Sequence, residues 1–445
     1  MLEGGSELKV LTRFSTRLME RYLPDPLIFV ILLTLLAYVL GMITTGSTPL
    51  QMATFFGDGF WGLMEFTVQM SMVLLTGHVM AKSSPFKKLL SKLAKIPKSS
   101  GQAIILVSIV AALASFINWG FGLVIGVLIA KEVARQRTDT DYRLLIASGY
   151  SGFLVWHGGF SGSIPLTVAT EGHPFSEQIG IIPIPETIFT FENILIVVLL
   201  MISIPILNYF MHPDENERHI IDKKLLEEPE SEPKPLNMTP AERLENSVML
   251  NYIIGAIGVV YVIYYFSING FDLNLNIVNF IFLFTGLILH GTPKNYIETV
   301  FEAVRGVGPI LVQFPFYAGL MGMMVESGIA AQITELFVAL SNEVTFPLFA
   351  FLSAGVVNFF IPSGGGQWAV QAPVMIEAAK ELGVEQSKMA MAVAWGDAWT
   401  NMIQPFWALP ALAIAGLKAR DIMGFCVWAL VVSGVIISIV MLIAF

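Results

Sequence analysis

A serine followed by three glycines and a glutamine, Ser363-Gly364-Gly365-Gly366-Gln367, interrupts an otherwise apolar stretch of this 445-residue chain. Consecutive glycines let main-chain N–H groups approach an anion with no Cβ in the way, and a carboxylate fits such a cradle. The first half of the chain carries a comparable break at Asn118-Trp119-Gly120-Phe121-Gly122. Ser161 and Ser163 in one glycine-broken stretch, and Thr400, Asn401 and Gln404 in another, add neutral oxygens and amide donors. The candidate substrate-binding set is therefore Asn118, Trp119, Gly120, Gly122, Ser161, Ser163, Ser363, Gly364, Gly365, Gly366, Gln367, Asn401 and Gln404. Candidates for carrying a coupling H⁺ or ion are Asp397, His157, Glu65, Asn358 and Thr400, because an ionisable group at membrane depth is costly unless it works. The plain readings stand beside these: glycines make turns, hydroxyls bond back to their own helix, and Asn118 and Asn358 cap helices. No metal site and no cofactor are assigned; Na⁺ or H⁺ is the coupling ion to look for.

The elements that must position these residues are membrane helices. Hydrophobic residues make up 55% of the chain, charged residues 13%, and the mean hydropathy is +0.70. Many apolar runs approach the ~20 residues that cross a ~30 Å hydrocarbon core as helix. The lone cysteine, Cys426, excludes an intrachain disulfide framework. The net charge of −9 gives nucleic acid no purchase, and the absence of a GxxxxGK[ST] string argues against ATP drive.

Of the 25 Lys and Arg, only Lys380 and Lys388 fall outside segments that one topology places in the cytoplasm. The apolar stretch 101–130 lies between two basic loops and is too short to cross twice, so it reads as a re-entrant hairpin with Asn118–Gly122 at its tip. The stretch 345–380 repeats the figure from the opposite face. Each hairpin precedes a broken span, 144–168 and 389–416, and then one more apolar helix.

The expected fold is an all-α polytopic membrane protein with two inverted-topology repeats, each holding a re-entrant helical hairpin and a broken transmembrane helix. Residues 1–26 form an amphipathic cytoplasmic segment, 27–211 the first repeat, 212–246 a solvated cytoplasmic linker, 247–270 a linking helix that flips the second copy, and 271–445 the second repeat. This puts the N-terminus in the cytoplasm and the C-terminus on the outer, periplasmic side. Irregular backbone is tolerated at membrane depth only where protein or a wet cavity satisfies it, so the four breaks should meet at one site.

The strings PDPLIF at 24–29, INWGFGLVIG at 117–126, GGFSGS at 158–163, VQFPFYAG at 312–319, PSGGGQW at 362–368 and QPFWALPALAIAGL at 404–417 strongly resemble the short-chain fatty acid transporter family, the AtoE-type permeases. The resemblance covers the chain from about Arg13 to Phe445. It implies a bacterial inner-membrane secondary carrier for small monocarboxylates such as acetoacetate and butyrate, within the ion-transporter superfamily, whose members move a transport domain in elevator fashion and pair as homodimers. The Ser-Asn-Thr signature of sodium-coupled dicarboxylate relatives is incomplete here: Thr400-Asn401 is its nearest string in the second half, and Gly162-Ser163 lacks Asn and Thr. Two alternatives are a carrier of another organic anion, a dicarboxylate or peptide, and an intramembrane serine hydrolase built on Gly159-Phe160-Ser161-Gly162. The expected partners are a small carboxylate, the lipid bilayer and a second copy, and the protein is not expected to be an enzyme.

Overall fold

In lipid every backbone N–H and C=O must find its partner within the chain, and a helix does this locally. The computed structural model describes residues 2–221, 238–270, 274–304 and 307–445, and every regular element among them is helical. Among the described residues, six helices are long and apolar enough to span a membrane. The bent pair Pro49–Gly59 and Met64–Met80, turned by 46°, makes a seventh when counted as one span. The protein is thus all-α and polytopic.

The order of elements runs twice. In the first half the helix Pro26–Thr44 and the bent pair are followed by an amphipathic helix, Ser84–Ala94, then the hairpin Ser100–Ile117 with Trp119–Gln136. The broken span follows as Tyr142–Ser151, a 3₁₀ stretch Gly152–Gly158 and Ser163–Val168, and Phe191–Phe210 closes the series. In the second half Leu275–His290 precedes Pro293–Val304 and Gly308–Glu326, the amphipathic helix is Ile329–Ala339, and the hairpin is Phe346–Asn358 with Gly364–Leu382. Gln386–Thr400 and Pro405–Ala415 form its broken span, and Ala419–Ile443 ends the chain's helices. Val248–Asn269 stands between the two series.

Both hairpins outrun the sequence-based limits, because their second arms continue as helix through polar residues to Gln136 and Leu382. The first broken span starts at Tyr142, where Asp141 caps it by accepting from Leu144 N at 2.8 Å. In each half the broken span meets the first hairpin arm backbone to backbone. A Cβ on Gly152 would lie 2.6 Å from the Ala111 carbonyl carbon, and one on Gly396 would lie 2.6 Å from the Ala354 Cβ, so both approaches require glycine.

The N-terminal helix Leu2–Tyr22 lies against the last helix: Ser15 Oγ donates to Gly424 O at 2.8 Å and accepts from Trp428 Nε1 at 3.1 Å. The basic loops gather at one face of the molecule, where Arg143 pairs with Glu20, Arg13 with Glu217 and Lys9 with Asp214. Lys82 pairs with Glu302. Lys388 sits apart from these, beside Glu192 and the C-terminal Phe445.

The described ends of the linker are exposed or half-buried and are held by local contacts. Its first residues dock on the loop before the first broken span: Asp141 Oδ2 accepts from His219 N at 2.6 Å, Tyr142 N donates to His219 O at 2.9 Å, and Arg218 donates to Asp139 O at 2.9 Å. Its last residues form the helix Pro240–Glu245, capped reciprocally by Thr239 and Glu242. Linker residues 222–237, residues 271–273 at the start of the second repeat, and Arg305 lie outside the described residues.

His212 belongs to this docked strap. Burial, with Arg218 and Lys9 close by, pushes its ring down to about 4, so at neutral pH it is uncharged and its Nε2 accepts from Asp141 N at 3.3 Å. An unfolded histidine titrates near ~6.5. The ring's contribution is therefore present above that value and is lost as pH falls from there towards the folded value. The protection factors of the amides over 212–219, exchange rates corrected for their intrinsic pH dependence, are expected to fall across that window, and to do so less in a His212→Gln variant. The carboxyl of Asp141, raised by its burial, works in the opposite sense, so the difference between variant and parent isolates the ring.

Candidate functional site

The break in the first span follows from its glycines. Phe160 N donates to Phe116 O at 2.8 Å, and Gly159 sits so close to that carbonyl that no side chain fits there. This pins the break to the first hairpin tip. Ser161 Oγ then accepts from Trp119 N at 2.9 Å, and Asn118 caps the second arm by accepting from Phe121 N at 3.0 Å. Gly122 backs onto Ser115, so it serves arm-to-arm packing. Gly120 is buried in the same tip. Side chains of the protein thus take the Trp119 and Phe121 N–H groups at the first tip.

The second tip is different. Ser363 caps its arm, accepting from Gly366 N at 3.3 Å, and its carbonyl accepts from Gln367 N at 2.7 Å. The N–H groups of Gly364 and Gly365, at the first two helical positions, have no acceptor within the helix or from its cap. Gly365 is exposed and a Cβ there would meet nothing within 4 Å, whereas one on Gly364 would lie 2.8 Å from His157 Nε2 and closer still to Ser163 Oγ.

His157 and Ser163 come from the two sides of the first break. The His157 Nδ1 lies 2.6 Å from Ala394 O, a carbonyl of the second broken span. Since that oxygen only accepts, Nδ1 carries the proton and Nε2 is left to accept from Ser163 Oγ at 3.0 Å. The ring is wholly buried. The result is a neutral imidazole and hydroxyl beside two free N–H groups that favour an anion.

A second polar cluster lies on the other side of this hairpin. Asn358, at the end of its first arm, places its Nδ2 at 3.0 Å from Asp397 O, 2.9 Å from Thr400 Oγ1 and 2.9 Å from Asn401 Oδ1. Asn401 Nδ2 donates to Asp397 Oδ1 at 3.3 Å. Asp397 Oδ2 and Asn358 Oδ1 are buried without any partner. A buried carboxylate supported by one long amide bond needs a proton or a cation to neutralise it. The donor set is oxygen-rich with a single acid, which suits a proton or a monovalent cation, and no group of three His, Cys, Asp or Glu gathers among the described residues.

The remaining candidates have other partners. Gln404 gives its Nε2 to Phe359 O at 2.7 Å and takes Tyr317 Oη at 3.3 Å. Gln367 gives its Nε2 to Ala354 O and Gln371 Oε1, both at 2.8 Å. Both residues hold the second hairpin in shape and are wholly buried. Glu65 is exposed and bonded to Gln69 Nε2 at 3.2 Å. It stands just after the 46° bend, near the start of the second helix of the bent pair.

Sequence reasoning missed the groups that tie these parts together. Asn193 donates to Gly158 O at 3.0 Å and Ile188 O at 2.7 Å, and accepts from Trp395 Nε1 at 3.1 Å. Tyr150 Oη donates to Asn401 O at 2.5 Å. Among the aromatic residues near the breaks, Trp119 and Trp407 meet edge to face at 5.3 Å. They are joined by Phe66, Phe153 and Trp156. Phe121, Phe160, Trp368 and Trp399 pack elsewhere, against Phe282, Phe189, Phe175 and Phe351.

The family described as "Short chain fatty acid transporter" matches residues 7–444. A protein of Escherichia coli K12 is 48% identical over 96% of this chain and 98% of its own length. One of Haemophilus influenzae Rd is 47% identical over 94% and 96%. Both bear the name short-chain fatty acid transporter as a provisional assignment. Among solved structures, the YdaH transporter of Alcanivorax borkumensis aligns at a TM-score of 0.45 and 15% identity, covering 94% of this chain and 97% of that one. Neisseria gonorrhoeae MtrF aligns at 0.37 and 15%, covering 95% and 97%.

Proposed function

This chain belongs to the short chain fatty acid transporter family, and from that premise we propose that it is a secondary active carrier of small monocarboxylates such as acetoacetate or butyrate. The observation that carries this reading is the second hairpin tip: two free N–H groups, at Gly364 and Gly365, beside a neutral His157–Ser163 pair. Such a site balances one negative charge. A dicarboxylate or a larger anion would call for a basic side chain there, and the site's polar groups are all neutral.

The carboxylate sits on the Gly364–Gly365 amides with Ser163 beside it, and the acyl chain lies on the aromatic residues next to the first tip. A membrane potential opposes entry of an anion by ~2.3 kcal/mol per charge at 100 mV, so a cation travels with it. Asp397, with Asn358, Thr400 and Asn401, carries that H⁺ or Na⁺. The hairpins are locked to the broken spans through Gly152 and Gly396, and the two broken spans to each other through the His157–Ala394 bond, which supports their moving as one body in an elevator-like step. The carrier sits in the bacterial inner membrane as a homodimer, with the basic face and N-terminus in the cytoplasm and the C-terminus outside.

The test is uptake of radiolabelled butyrate into proteoliposomes under a pH gradient or a sodium gradient, imposed separately. Accumulation driven by one of the two is expected. No accumulation under either gradient, with monodisperse protein incorporated, would overturn the assignment of cargo.

A further inference from the structure

The two halves of the site correspond residue by residue, and their own contacts supply the register. A Cβ on Gly152 would lie 2.6 Å from the Ala111 Cβ, and one on Gly396 would lie 2.6 Å from the Ala354 Cβ. Further along each hairpin arm, Phe116 O accepts from Phe160 N at 2.8 Å and Phe359 O accepts from Gln404 Nε2 at 2.7 Å. Between the halves the same register appears crosswise. His157 Nδ1 donates to Ala394 O at 2.6 Å, while Tyr150 Oη, at the place matching Ala394, donates at 2.5 Å to the carbonyl of Asn401, at the place matching His157. A contact repeated with its two partners exchanged is what an approximate two-fold relation between repeats produces.

This register gives every member of the Asp397 cluster a counterpart. Asn358 corresponds to Ser115, Asp397 to Phe153, Thr400 to Trp156 and Asn401 to His157. The second half presents bare oxygens at this place. The first half presents rings: Phe153 and Trp156 stack face to face at 5.4 Å, and both meet Trp407. Both nitrogens of His157 are engaged, and Ser115 adds a single hydroxyl. Among the described residues the buried acids are Asp397 and Asp141, and Asp141 caps the helix Tyr142–Ser151. A cation taken out of water needs an opposite charge or several oxygens. The second half supplies them and its counterpart does not.

We propose that each transport cycle carries one monovalent cation, held by the second half alone, so that a monocarboxylate and its cation cross as a neutral pair. The first half uses its copy of the ion place as apolar wall, and the rings that fill it are those on which the acyl chain lies. The membrane potential then neither drives nor opposes the loaded step. The count of one rests on the carrier reading for the charge of the cargo.

The test is the balance point of transport. Net flux of radiolabelled butyrate is measured in proteoliposomes of the full chain, with the potential set by K⁺ and valinomycin. Flux into protein-free vesicles is subtracted, because undissociated acid crosses lipid unaided. With the driving ion, H⁺ or Na⁺, held at about a tenfold gradient, one cation per butyrate makes net flux vanish against an opposing butyrate gradient of about tenfold, and an inside-negative potential of ~100 mV leaves that point in place. Two cations would move it to about a hundredfold at zero potential and by about fiftyfold more at ~100 mV. Either of those shifts would overturn the count of one and leave the carrier reading standing. The Asp397→Asn protein should accumulate no butyrate under the same ion gradient. Accumulation there to the parent's level would reveal a second cation place and overturn the proposal. Absence of protein-dependent flux under a pH gradient and under a sodium gradient overturns the carrier reading, and the count with it.

Discussion

Gly364→Ala is expected to lower butyrate uptake at least a hundredfold, while Gly365→Ala, one residue along the same run, stays within about threefold of the parent. A hundredfold loss corresponds to ~2.7 kcal/mol, a size that steric conflict at a packed site readily reaches. The added methyl at Gly364 would press on His157 Nε2 at 2.8 Å and its Cε1 at 3.0 Å, with Ser163 Oγ nearer still. The ring cannot swing away without giving up the Nδ1 bond to Ala394 O at 2.6 Å. The tip must then withdraw, and the free N–H groups leave the hydroxyl they stand beside. At Gly365 the same methyl enters open space. Gly366→Ala should fall between, because Met321 Sδ and Ser363 Oγ lie at 3.2 Å and the methionine is pliant. Initial uptake rates in proteoliposomes, each normalised to monodisperse protein, decide the matter. Equal loss at Gly364 and Gly365, or loss at neither, would remove this tip from the transport pathway.

The contrast between these neighbours also shows what a linear sequence conveys about this molecule. The breaks themselves are legible, because a glycine run inside an apolar stretch has few structural uses and because the basic loops fix which ends of the helices lie together. The division of labour within the breaks is not. Asn118 and Ser363 look equivalent as tip residues, yet the first tip is closed by Ser161 and the second is open, a difference made by one hydroxyl from another helix. The His157–Ala394 and Trp395–Asn193 bonds join neutral groups across more than 200 residues. Such pairs leave no local periodicity and no charge pattern to read. Gln367 and Gln404 are polar residues at the breaks whose donors turn inward to hold the second hairpin.

Asp397→Asn is expected to abolish gradient-driven accumulation of butyrate, by at least fiftyfold, while exchange of labelled for unlabelled butyrate in the absence of a gradient stays within about fivefold. The two side chains have the same shape, and an asparagine Oδ1 can still accept from Asn401 Nδ2, as Asp397 Oδ1 does at 3.3 Å. What changes is the second atom. Asp397 Oδ2 and Asn358 Oδ1 are both buried and bare, so the carboxylate offers an electron pair and a charge that an amide nitrogen cannot replace. With the charge gone, nothing in the cluster requires a cation, and the cargo's own charge crosses uncompensated against the membrane potential. Exchange needs no net charge movement and survives. Asn358→Ala then tells the ions apart. Removal of a neutral oxygen ligand should raise the KM for Na⁺ at least tenfold if sodium is the partner, but should leave the pH profile of uptake in place if a proton on Asp397 is. An Asp397→Asn protein that accumulates butyrate as the parent does would show that the coupling charge is carried elsewhere.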